Sequence, residues 1–80
     1  MGRRKPIPSM SSRKLIRLLS KGGAVFDREG KGDHTIYKRI VKDRIYKAPV
    51  QMGKPELRPE YCLIVFKQHG FTDKEIDRLL

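Results

Sequence analysis

Histidine is the side chain best suited to proton transfer near neutral pH, and this chain has two, His34 and His69. His34 follows the turn-like segment Glu29-Gly30-Lys31-Gly32-Asp33 and opens a run of β-branched and aromatic residues. That places it at the rim of a sheet, where the backbone is held while the side chain stays exposed. His69 instead falls on the core side of a helix end, within reach of the terminal carbonyls. Lys31, Lys38 and Arg39 lie close to His34 in sequence, and Arg44 and Lys47 follow on the next strand. Such cations suit the phosphates of an RNA chain, so these five are the candidate RNA-binding residues and His34 the candidate catalytic base. On residue types alone, a histidine in His34's position is more often a plain surface residue than a catalytic one.

Other chemistries find no residues to carry them. The sequence has no phosphate loop ending in Gly-Lys-Ser or Gly-Lys-Thr, and no run of carboxylates suited to holding two metal ions. Cys62 is the sole cysteine and sits in an apolar run, which excludes a disulfide within the chain and a cysteine zinc site. Neither a metal nor a cofactor is expected.

The charge balance points the same way. Nineteen Lys and Arg against nine Asp and Glu give a formal net charge of +10, far more than solubility requires, so a polyanion is the expected partner. The cations are spread over helix and strand positions, which suits the folded face of a nucleic-acid binder. No apolar stretch approaches the roughly 18 residues of a membrane span, and the basic start runs into Pro6-Ile7-Pro8 instead of a signal-peptide core. The expectation is a cytoplasmic protein with no membrane partner.

One domain is expected in 80 residues, because so short a chain cannot divide its apolar surface between two cores. Residues 1–10, with three cations and two prolines, read as a flexible basic arm outside the fold, and residues 11–80 as the domain. Ser11 or Ser12 caps a helix with Leu15, Ile16, Leu18 and Leu19 on one stripe, ended by Gly22 and Gly23. A short strand over Ala24-Val25-Phe26 follows, then a strand from His34 to Val41, a turn at Lys42-Asp43 and a third strand from Arg44 to Ala48, which Pro49 limits. Gln51 to Leu57 reads as a loop. Tyr61 to Phe66 has strand-like composition, but Pro59 and Gly70 make a helix start and stop, which favours a helix over 59–69. Thr72-Asp73-Lys74-Glu75 is a capping box for a short last helix. The fold class is therefore α+β: helix, three-stranded antiparallel sheet, helix, and a short C-terminal helix.

These blocks carry a resemblance. Leu15-Ile16-Arg17-Leu18-Leu19, the Gly22-Gly23 pair, Phe26, Arg28 and Gly32-Asp33-His34-Thr35-Ile36-Tyr37 resemble the opening of HicA-type mRNA interferase toxins, which carry a Gly-Ser-His motif on a strand after the first helix. Pro49-Val50, Glu56-Leu57-Arg58-Pro59 and Lys67-Gln68-His69-Gly70-Phe71-Thr72 are similar to that family's closing loop and helix. The resemblance implies a double-stranded-RNA-binding-domain-like fold, cleavage of mRNA by the motif histidine, here His34, and inhibition by a HicB-type antitoxin. Asp33 stands where the family usually has Ser, and Gln51 where a second His often follows Pro-Val. The function expected is that of a type II toxin–antitoxin endoribonuclease without a metal, in which water, Tyr37 or a lysine protonates the leaving oxygen. The alternative is a non-catalytic RNA-binding module on the same fold.

Overall fold

The computed structural model describes residues 5–80. Helix α1 (Ser12–Lys21) is followed by strands β1 (Val25–Glu29), β2 (His34–Val41) and β3 (Arg44–Gln51), then helices α2 (Pro59–Gln68) and α3 (Asp73–Leu79). The three strands form one antiparallel sheet in the order β1-β2-β3. This is the α+β architecture expected from the sequence.

Local chemistry explains most boundaries. Ser11 caps α1 by accepting from the Lys14 amide, and the helix ends at Gly22, with Gly23 at φ +100° beyond it. Leu15, Leu18 and Leu19 seat α1 on the core. Strand β1 runs further than its apolar start suggests, through Asp27-Arg28-Glu29, and the register shifts between Phe26 and Arg28, so Asp27 sits in a bulge. Strand β3 continues through Pro49 to Gln51 because it is an edge strand: a residue without an N–H is tolerated where one side of the strand has no ladder partner. Pro59 starts α2, whose Cys62, Val65 and Phe66 are buried. Gly70, at φ +77°, then turns the chain; a Cβ there would stand 2.6 Å from the Tyr46 ring, so both backbone angle and packing call for glycine.

The first described residues are part of the fold. Ile7 and Met10 are buried in the core, and Met10 and Leu57 form an antiparallel bridge with N···O distances of 3.2 and 2.6 Å. The expectation of an arm outside the fold is therefore corrected for residues 5–10. Ile7, set between Pro6 and Pro8, and Met10 just after them bury enough surface to anchor the segment. Residues 1–4, with Arg3 and Arg4, lie outside the described residues. Among the described residues no helix is long and apolar enough to cross a membrane.

Candidate active site and RNA-binding face

Alternation along β2 sorts the candidate residues onto two faces. Thr35 and Arg39 are buried under the helices, as are Ala48 and Val50 of β3, so His34, Ile36, Lys38 and Ile40 point to the open face. Across the β2–β3 ladder, His34 lies opposite Gln51, Lys38 opposite Lys47, and Ile40 opposite Ile45. His34 and two of the expected RNA-binding lysines thus share one surface, with Lys38 about 13 Å along the strand from His34.

Several backbone bonds fix the ground under His34. Its amide donates to the Lys31 carbonyl at 3.1 Å, its carbonyl accepts from Gly30 at 2.8 Å, and the carbonyl of Asp33 accepts from Met52 at 2.8 Å. The imidazole remains 39% exposed, with Nδ1 3.3 Å from Asp33 Oδ1. The other Asp33 oxygen lies 3.8 Å from Lys54 Nζ. Lys54 is held in turn by α1: Ser12 Oγ accepts from the Lys54 amide at 3.0 Å and donates to the Gln51 carbonyl at 2.7 Å. A shallow groove lined by Arg13, Ile16, Arg17 and Met52 adjoins this corner. Sequence spacing gives no sign that Lys54 comes beside Asp33, or that Arg13 and Arg17 share a groove with Met52, because the loop after β3 folds back onto the start of α1 through these side-chain and backbone bonds.

Lys38 and Lys47 would repel each other as a directly opposed like-charged pair. The bulge residue Asp27 offsets this, with its carboxylate 3.7 Å from each ammonium and 2.7 Å from Arg28 Nη1. Lys31 is exposed in the turn before β2, and Arg44 is exposed beside the β2–β3 turn. Arg39 is a correction. Its side chain is buried, donating from Nε to the Gly22 carbonyl (2.9 Å), from Nη1 to the His69 carbonyl (3.1 Å) and from Nη2 to Glu75 (3.0 Å), with the guanidinium 3.7 Å from the centre of the Phe71 ring. It ties the ends of α1 and α2 to α3 and has no face left for phosphate. Tyr37 is also removed from the catalytic corner, since it lies on the inner face, edge-on to Phe26 at 6.3 Å.

His69 is fully buried, with Nδ1 2.9 Å from the Val65 carbonyl and Nε2 2.9 Å from the Tyr37 carbonyl. It is a structural residue at the end of α2. Among the described residues no three His, Cys, Asp or Glu side chains stand close enough to hold a metal ion.

Comparison with known proteins gives one match. A family model described as the HicA toxin of bacterial toxin–antitoxin systems covers residues 12–72, more than half of the chain. No curated protein and no solved structure matches.

Proposed function

Because the chain belongs to the HicA toxin family of bacterial toxin–antitoxin systems, we propose that it cleaves mRNA without a metal, with His34 as general base. The observation that carries this reading is the contrast between the two histidines: the ring of His69 is sealed between two carbonyls, whereas His34 presents its ring on an open face among cations.

In this mechanism the neutral His34 ring removes the proton from a ribose 2′-hydroxyl, and the oxygen attacks the adjacent phosphorus. The bond from phosphorus to the 5′-oxygen breaks, leaving a 2′,3′-cyclic phosphate and a 5′-hydroxyl. Lys54, paired with Asp33, and Lys31, in the turn bonded to the His34 amide, supply positive charge where the phosphorane gains negative charge. The leaving oxygen takes its proton from water or one of these lysines, since Tyr37 faces the other side of the sheet. Lys38 and Lys47 continue the cationic track across the open face, and Arg13 and Arg17 extend it over α1. The partner that silences the activity in the cell is a HicB-type antitoxin.

The test is cleavage of a long mRNA in the presence of a chelator. His34→Ala lowers the rate by about 100- to 10,000-fold, while RNA affinity and the thermal midpoint stay near wild type because an exposed side chain contributes under about 0.5 kcal/mol. Equal cleavage by both proteins removes His34 from the mechanism. A wild type that binds RNA and never cuts it leaves the non-catalytic RNA-binding module.

A further inference from the structure

The end of the open sheet face opposite His34 has a different character. Ile40 and Ile45 lie directly opposite each other on β2 and β3, each 61% exposed, and Val25 of β1, 53% exposed, pairs with Lys38 one row further in. Scattered exposed apolar residues are ordinary, but three β-branched side chains gathered at one end of an open sheet form a contiguous patch. Ile40 lies six residues along β2 from His34, a separation of about 20 Å.

We propose that this patch is the anchoring surface for the antitoxin, which seats an apolar cluster on Val25, Ile40 and Ile45 and sets carboxylates over Lys38 and Lys47. The inference rests on the partner named above and adds where it binds. Three observations select an acidic protein as the occupant. The patch has no aromatic ring on which a base could stack, and aliphatic side chains give nothing to a polyanion, which argues against RNA. A second copy of the chain would bring Lys38 and Lys47 against their own counterparts and add a further +10 of charge. An acidic protein meets both features at once, with apolar burial at the centre and charge complementarity in the adjoining row. The antitoxin would then compete with RNA for the two lysines while its main hold lies about 20 Å from the catalytic residue. Inhibition and catalysis would thereby be separable by mutation.

The experiment measures binding of purified HicB-type antitoxin to the full chain, with RNA affinity and RNA cleavage measured on the same proteins. Ile40→Lys with Ile45→Lys, together with the milder Ile40→Thr and Ile45→Thr pair that keeps β-branched residues on the strands, are set against Ile64→Lys. Ile64 is nearly as exposed but lies on α2, outside the patch. The expected result is a loss of antitoxin affinity of roughly 100-fold or more for the lysine pair, a smaller loss for the threonine pair and none for Ile64→Lys. Cleavage and melting remain as in wild type, so the lysine pair escapes inhibition. Unchanged antitoxin binding by the lysine pair overturns the surface while leaving the partner in place. Absence of binding by wild type overturns partner and surface together. Loss of RNA affinity by the uncharged threonine pair would give the patch to RNA, and a wild-type dimer that the lysine pair breaks would give it to a second copy; either result overturns the proposal.

Discussion

His34 and His69 show how little residue type says about role until burial is known. A carbonyl only accepts, so each ring nitrogen of His69 faces a group that needs a proton donor, and the ring fills a space with no exposure. His69→Ala leaves a cavity and removes the ring from between the Val65 and Tyr37 carbonyls, although Val65 still accepts from the residue 69 amide, a cost of roughly 2–4 kcal/mol. The expected outcome is a fall in Tm of roughly 10 °C or more in a thermal melt, set against the near-silent His34→Ala. A fall under about 2 °C would mean that the buried ring contributes little. The sequence made both positions legible, His34 from the glycine-rich turn before it and His69 from its helical spacing. Arg39 was not legible. It sits between Lys38 and Ile40 in a strand that looks amphipathic in either register, because Ile36, Ile40 and Ile45 are apolar yet face out, while Arg39 is charged yet faces in. A cation that satisfies three carbonyl or carboxylate oxygens across the fold leaves no local mark in the sequence.

At the scale of elements, α3 is only seven residues long and depends on its two tethers. Thr72 and Glu75 form the expected capping box, and Glu75 also receives the Arg39 guanidinium. The bond from the Thr72 backbone amide, followed by the Arg39 hydrogen bond and charge, holds the Glu75 carboxyl below the ordinary glutamate value against the opposing effect of burial. A carboxylate whose folded value is depressed stabilises the fold above its unfolded value and loses that contribution as pH falls through the folded one. The chain is therefore expected to lose stability below about pH 4.5, in part through α3. Glu75→Gln lowers stability at neutral pH and shows a shallower loss on acidification. Urea midpoints at pH 6.5 and pH 3 check this, and parallel falls for both proteins would remove Glu75 from the acid response. The capping box was readable because its four residues are local. The second tether joins residues 36 positions apart and was not. The same division separates α2, marked at both ends by Pro59 and Gly70, from the Met10–Leu57 bridge, which only the assembled core reveals.

For the whole molecule the dominant quantity is charge. Lys31, Lys38, Lys47, Lys54, Arg13 and Arg17 surround or extend from the His34 corner, and if all engage phosphates the logarithm of the affinity for single-stranded RNA falls with the logarithm of salt with a slope of about −4. A titration between roughly 50 and 200 mM salt measures the slope. A value near zero would show that the charge serves something other than phosphate binding. A second global property follows from α2, which carries Cys62 with no exposure at the centre of the core. Burial raises the value of its thiol, and the thiolate is the reactive form, so in the closed fold the sulfur is withheld from reagents both sterically and chemically. Every other residue is inert to thiol reagents, because this is the only cysteine. The rate at which a maleimide or disulfide reagent consumes Cys62 therefore counts how often the core opens, and the protein carries a built-in stopwatch for its own unfolding.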